Sequence, residues 1–445
     1  MKTASFKLFF ILIIMIDLFS YKVLAQDKYL QLDENKSTNQ WSIKYSGFVR
    51  NDIFFDSRQI VNAREGELEL FPADIAKDVN GLDKNAASSF NILSITSRIT
   101  GTLTGPDAFG AKTSGIIEGE FFGNGNSVYE GNLFRMRHAY AQLDWGKTKL
   151  GFGQYWHPLY NFECAPGQLS FNAGMPFVPF NRSPQVRLTQ TFPHNFQLIV
   201  AAIAERDFTS IIPSNNSGLA SFTTAGVNAT EGIRNASIPN LHTQVIYKKA
   251  NAMFGVAVDW KMLRPALAVG TAPGIISNAT VSSFSFEVYG KMITRNATVK
   301  ASFVSGQNLT DQLMLGGYVA YGTYSATTAS IYYQSTSVNS YWIDISGNGK
   351  KIIPGLFMGY SKNNGSNELN GIAAYGRGIG VSGRGINDIM RVSPRVEFVS
   401  GKFKIGTELE ITTAAYGNSI SNAKVTGNTD AVTNIRGLFI TTFLF

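Results

Sequence analysis

Apolar and polar residues alternate with period two along much of this chain. In the stretch 402–411, Lys402, Lys404, Glu408 and Glu410 fall on one face and Phe403, Ile405, Leu409 and Ile411 on the other. This is the pattern of a β-strand whose two faces meet different surroundings. Val186, Leu188 and Phe192 likewise oppose Arg187, Thr189 and Thr191, and Arg391, Ser393, Arg395 and Glu397 alternate with Val392, Pro394, Val396 and Phe398. Pro394 argues against a central position for that strand, because proline cannot donate to a sheet ladder. Residues 93–99 and 133–140 read as two further strands. The final strand, 434–445, places Phe445, Phe443, Phe439 and Ile435 on one face with Thr441 and Gly437, and Arg436 and Thr442 on the other. A strand that ends the chain on an aromatic of its apolar face fits lipid exposure. The ring would sit at the interfacial girdle and the strand would close a cylinder against the first.

The connections sort by length. Long stretches rich in Asn, Ser and Gly fall at roughly 57–88, 123–131, 158–182, 207–239, 262–280, 377–388 and 417–432, with short turns at about 105–112, 146–148, 193–195, 249–251 and 400–401. Outer-membrane barrels have long extracellular loops and short periplasmic turns in this order, which a soluble sandwich or propeller has no reason to keep. The prediction is an all-β, transmembrane, antiparallel up-and-down barrel of eighteen strands. The number becomes sixteen if one weak hairpin in 306–367 belongs to a loop. Either size leaves a lumen too wide for side chains alone to fill, so a water-filled channel is expected.

The amino-terminal end supplies a compartment. Lys2 and Lys7 precede an apolar run over 8–16, interrupted by Asp17, and Val23-Leu24-Ala25 is a small-residue cleavage pattern. This predicts a secretory signal, 1–25, too short in its apolar run to span a bilayer. A short periplasmic segment, 26–40, and a barrel domain, 41–445, follow. No later apolar stretch would make a transmembrane helix, and no Pro-rich or low-complexity linker divides the chain. The net charge of +8 falls to +6 without the signal's three lysines and one aspartate, and the basic residues are dispersed, which argues against nucleic acid as a partner. The single cysteine, Cys164, forms no internal disulfide and reads as a free buried or loop thiol.

The signal, the alternating strands, the ordered loops and the terminal Phe445 resemble Gram-negative outer-membrane porins. Gly105-Pro-Asp-Ala-Phe-Gly-Ala-Lys112 followed by Glu118-Gly-Glu-Phe-Phe122, together with Gly151-Phe-Gly-Gln-Tyr-Trp-His-Pro158, is similar to porins of Bacteroidota related to the DcaP-like group. The resemblance implies a homotrimer in outer-membrane lipid and lipopolysaccharide that passes small hydrophilic, often anionic, solutes without a cofactor. It also implies that the third long loop, about 159–183, folds into the barrel and narrows it. That loop carries Phe162, Phe171, Phe177 and Phe180 and is stiffened by prolines at 158, 166, 176 and 179, and burial inside the wall would shelter the rings. Packing against neighbouring subunits is the other reading of so apolar a loop.

Selectivity is sought where charge meets this constriction. Arg98, Arg135, Arg137 and Arg187 fall on predicted lumen faces beside the third loop and Arg182 lies on it, with Arg391 and Arg395 on the lumen face of a later strand. Arginines there would concentrate anions and orient dipolar solutes. Glu118 and Glu120, on the neighbouring strand, are placed to form cross-strand pairs with Arg135 and Arg137, which would make the same residues wall structure instead. Enzymatic readings find little: the four histidines, 138, 157, 194 and 242, lack metal-ligand spacing to one another and there is no Gly-x-Ser-x-Gly elbow. Gly378-Ile-Gly380-Val-Ser-Gly383 matches a dinucleotide-binding pattern only formally, since no helix-forming segment follows. The competing class is a surface receptor or adhesin that uses its long polar loops on a barrel without general pore activity.

Overall fold

The computed structural model of the protein describes residues 41–123, 133–216, 219–220, 226–270, 274–324 and 329–445. The predicted signal and the segment 26–40 lie outside the described residues. The alternation seen at 402–411 recurs strand after strand, and the long strands join edge to edge into one closed antiparallel sheet, with smaller sheets formed by the loops. Its first half comprises β1 (Ser42–Asp56), β2 (in two segments, Ser89–Leu93 and Arg98–Ala108), β3 (Ala111–Glu120), β4 (Arg135–Asp144), β5 (Thr148–Trp156), β6 (Arg182–Thr191), β7 (Phe196–Ile203) and β8 (Asn240–Lys249). The second half comprises β9 (Ala252–Leu263), β10 (Val281–Ile293), β11 (Ala297–Gln307), β12 (Ser337–Gly347), β13 (Ile352–Gly365), β14 (Gly383–Ser400), β15 (Phe403–Ser419) and β16 (Val425–Leu444). β1 pairs with β2 on one side and with β16 on the other, Phe48 facing Leu444 and Asp56 facing Arg436, so no edge is left free. Gly47 and Phe445 complete the seam with two main-chain hydrogen bonds, 3.3 and 3.1 Å.

Each strand separates two solvents. Phe439, Phe443 and Phe445 are 43, 47 and 45 % exposed on the outer surface, whereas Arg436, on the inner face of the same strand, is 1 % exposed. No described helix is long and apolar enough to cross a membrane. Crossing falls to the strands, whose backbone donors and acceptors are satisfied by their neighbours. Turns of two to four residues join the strands at one end. At the other end lie loops 1 to 8, at 57–88, 121–134, 157–181, 204–239, 264–280, 308–336, 366–382 and 420–424.

Sixteen strands, not eighteen, close the barrel. The hairpin Gly316–Tyr324 with Ala329–Ser335, counted within 306–367, pairs instead with Gly371–Arg377 of loop 7 in a separate three-stranded sheet. The reason is visible at Tyr318, Val319 and Ala320, all fully buried in succession: both faces of this strand meet protein, and none is left for lipid. The stretch 417–432 is no long loop either. β15 and β16 run on as a hairpin turned at 420–424, and residues 426–431 are exposed, which explains their polar composition. Residues 93–99 do not form one continuous strand. Between Asp52 facing Leu93 and Phe48 facing Arg98, β2 has one residue more than β1. The resulting bulge turns both Ile95 and Thr96 into the interior, where Thr96 Oγ1 donates to Asp52 at 3.0 Å. Pro394 does lie on an interior strand, and its missing donor coincides with a break in the β14–β15 pairing between Val392 and Arg395.

The main hydrophobic core is inside the cylinder. Leu68, Leu70 and Phe71 of loop 1, Phe177 and Phe180 of loop 3, and Leu313 and Met314 of loop 6 pack together with wall residues such as Tyr289, Trp342 and Phe357.

Candidate functional site

Loop 3 is laid along the inner wall by hydrogen bonds to its main chain. It leaves β5, and Asn161 caps a short turn, Phe162–Cys164, while its side-chain amide donates to Tyr289 on β10 at 2.8 Å. Lys291 and Lys300 donate to the carbonyls of Glu163 and Ala165 at 3.0 and 2.6 Å. Further along, the Leu169 and Ser170 amides donate to Glu408 on β15, Asn172 to Glu410, and Arg50 on β1 to the Leu169 carbonyl at 2.6 Å. The returning segment is held by Arg391, which donates to the Met175 carbonyl at 2.7 Å, and by Ser340 on β12, which donates to that of Phe177 at 2.9 Å. The Phe177 ring lies over Gly359 of β13, where a Cβ would come within 2.5 Å of it. Phe177 and Phe180 are buried, but Phe162 stays 65 % exposed and stacks on Trp156. Cys164 is a buried free thiol that donates to the Gly290 carbonyl at 3.1 Å.

Where loop 3 leaves and rejoins the wall, the predicted charged residues meet. Glu120 faces Arg135 in register, and a bulge at Glu118/Gly119 brings both Arg137 and His138 inward. Arg137 reaches Glu118 at 2.7 Å and Glu120 at 2.6 Å, Arg135 reaches Glu120 at 2.7 Å, and Arg98 reaches it at 3.0 Å. Asp207 of loop 4 binds Arg135 and Arg182, both at 2.6 Å, and Arg64 of loop 1 stands 3.5 Å away. Five guanidiniums thus surround three carboxylates, a formal surplus of two. Aromatic faces cover the rest: Arg182 lies 4.7 Å from the Trp156 ring and Arg135 5.0 Å from that of Phe122. Arg187 belongs to no ion pair among the described residues. It donates to the Trp156 carbonyl at 2.6 Å and lies over Tyr155, which stacks on Tyr140.

Arg391 and Arg395 are placed elsewhere. Arg391 is fully buried between loops 1 and 3, donating to Glu69 and Met175 carbonyls and to Thr412, and Arg395 pairs with Asp344 at 2.8 Å. Around Arg391, the wall β14–β16 and β1 with loop 1 gathers Asp52, Asp56, Glu67, Glu69, Glu408 and Glu410 against Arg50, Arg391 and Arg436. This side carries formal negative surplus, opposite in sign to the cluster on β2–β6.

The scattered histidines are in part gathered by the fold. His157 and His242 rings lie 5.9 Å apart beside Asp259, which is 3.2 Å from His242 Nδ1. Among the described residues, however, no group of three or more His, Cys, Asp or Glu is arranged to hold a metal.

Comparison with known proteins agrees with this geometry. The family model described as DcaP outer membrane protein matches residues 18–220. Among solved structures, the outer membrane channel DcaP of Acinetobacter baumannii superposes with a TM-score of 0.61 at 14 % identity, covering 92 % of this chain and 99 % of that one. This is a bacterial outer-membrane barrel with the porin fold. An anion-selective porin from Comamonas acidovorans superposes at 0.52 with 10 % identity, over 91 and 100 % of the two chains. The trimer form of OmpT of Vibrio cholerae superposes at 0.50 with 11 % identity, over 91 and 99 %. No curated protein matches in sequence.

Among the charged residues of the outer-membrane barrel's interior that escaped the sequence reading are Arg50, Arg64 and Asp207. Arg50 was legible, since Arg50, Asp52 and Asp56 share the inner face of β1 with Phe54. Arg64 sits at a loop 1 turn where it, Glu65 and Gly66 all have positive φ, and Asp207 comes from loop 4. Nothing local in either segment announces a meeting across more than a hundred residues.

Proposed function

We propose that this barrel is a water-filled porin through which small hydrophilic solutes diffuse passively, with preference for anions, and that loop 3, about 159–183, narrows it. The observation that carries the reading is the five-arginine cluster beside loop 3, with its excess over three carboxylates, and the neighbouring Arg187, which has no ion pair among the described residues. In a narrow, protein-walled lumen such surplus attracts anions. The acidic stretch on β14–β16 and β1 adjoins the cluster, since β1 pairs with β2, and the two together would orient dipolar solutes beside loop 3. The fold neighbours named as a channel and as an anion-selective porin support the same reading, and the trimer form of another supports assembly as a homotrimer. Residues 1–25 are read as a cleaved signal and the barrel as standing in outer-membrane lipid and lipopolysaccharide. No step of this activity is enzymatic.

Reversal potentials in a potassium chloride gradient across planar bilayers test the proposal. Anion preference is expected, with conductance steps in triplets, and cation preference would overturn the selectivity. One observation favours the receptor or adhesin reading: loops 1 and 3 bury Leu68, Leu70, Phe71 and Phe177 in the lumen. Liposome swelling with small sugars and dicarboxylates separates the two, since a closed barrel admits nothing.

A further inference from the structure

A second group of cations lies nearer the short-turn end. Lys291 of β10 and Lys300 of β11 stand directly opposite each other in register. Both point inward, sharing their faces with Glu287 and Tyr289 and with Ser302 and Val304, all buried, while Met292 between the turn and Lys291 is exposed outward. Directly opposed like charges weaken a sheet, so such a pair calls for a compensating anion. Among the described residues neither lysine forms an ion pair, and each ammonium donates to a main-chain carbonyl of loop 3, Glu163 and Ala165. Asp344, across from Lys300 on β12, is held by Arg395 at 2.8 Å and by Ser346 Oγ at 3.0 Å. Lys248 of β8 pairs with the Glu163 carboxylate at 2.5 Å, and both side chains remain 52 % exposed. Three lysines on three strands therefore flank loop 3 at 163–165 with one carboxylate between them.

We propose that Lys291 and Lys300, with Lys248 beside them, form an oxyanion-binding subsite at the short-turn end of the lumen, separate from the arginine cluster. An ammonium carries three donors and each of the paired lysines uses one on a carbonyl, which leaves donors from both for one ligand. Side chains directly opposite on neighbouring strands start about 5 Å apart, a span that two oxygens of one phosphate or carboxylate bridge. The turn at 294–296 lies between the two lysines in sequence, whereas Arg135 and Arg182 begin their strands at the long-loop end. A solute moving inward meets the arginines first and the lysines second. The subsite rests on the channel reading for its role in transport, though not for its existence.

Full-length protein in planar bilayers, in symmetric potassium chloride, is titrated with inorganic phosphate on the short-turn side. Phosphate is expected to lower the chloride conductance in a saturable way, with the half-blocking concentration raised at least about tenfold in Lys291→Met/Lys300→Met. Heat-modifiable gel migration verifies that the variant folds, and Lys291→Gln/Lys300→Gln serves if it does not. Anion-selective conductance with equal phosphate block in both proteins overturns the subsite and leaves the channel intact. If wild-type barrels do not conduct, the channel reading falls, and phosphate calorimetry of the detergent-solubilised protein decides the subsite alone: weaker binding by the double variant supports it, and equal binding or none removes it.

Discussion

At the residue scale, the interior is decided by how each charge is partnered. Glu120 is fully buried and is the carboxylate on which Arg98, Arg135 and Arg137 converge. Ion pairs at an exposed surface contribute little, but removing one partner of a buried pair strands the other in low dielectric. Glu120→Gln is therefore expected to destabilise the barrel by about 3 kcal/mol, measured as a lower urea midpoint for heat-modifiable folding. It also raises the local surplus by one, so the anion-to-cation permeability ratio should rise. A variant less stable yet unchanged in selectivity would make these arginines wall structure only. Arg187 provides the contrast. Among the described residues it has no carboxylate partner to strand, so Arg187→Met should lower anion preference with little change in the urea midpoint.

At the scale of elements, loops 1 and 3 behave as parts of the interior. Loop 3 is seated by the Phe177 ring against Gly359, where a Cβ would meet the ring at 2.5 Å. Gly359→Val must push the loop from the wall toward the lumen, an overpacking of about 1–3 kcal/mol. Lower single-channel conductance with more open-channel noise is expected, and unaltered conductance would show that Phe177 does not set the aperture. Loop 1 is tied by its own carboxylates outside the membrane. The Ala76 amide, followed by that of Asn85 and by Arg58, holds the Asp83 carboxyl below its ordinary range against slight desolvation. A depressed value in the folded state stabilises above the unfolded value of about 3.9. That support is lost as pH falls through the folded value, so the protection factors of the Ala76 and Asn85 amides should fall only in strong acid. Equal protection at neutral pH and in strong acid would exclude this tie. These loops were also the least legible elements. Residues 68–72 are buried one after another, so they show no alternation to mark which side faces the lumen, and the hairpin 316–335 reads like wall until its two covered faces are seen.

At the scale of the whole molecule, legibility follows from the two solvents of a barrel. Wherever a strand divides lipid from lumen, the period is written in its residues: Ile405 and Leu409 face outward, and Arg436 and Glu410 inward, as their alternation indicates. Charge meetings such as Arg64 with Asp207 depend on loop paths and leave no period. The terminal strand joins both kinds of information, because its pattern gives the outer face and the fold gives its partner. Phe445 exchanges two main-chain hydrogen bonds with Gly47, and its ring lies where a Cβ on Gly47 would be 2.7 Å away. Ending the chain at Leu444 deletes both bonds at the seam as well as an apolar ring on the outer surface, together about 3–5 kcal/mol. Phe445→Ala keeps the bonds and removes only the ring, about 2 kcal/mol. Refolding into lipid vesicles, followed by unheated gel migration, should rank wild type above Phe445→Ala and Phe445→Ala above the truncated chain in folded fraction. Equal yields for the two altered chains would assign the seam to the ring alone. Equal yields for all three would mean that β1 and β16 close the cylinder through the register from Phe48 to Asp56 without help from the last residue.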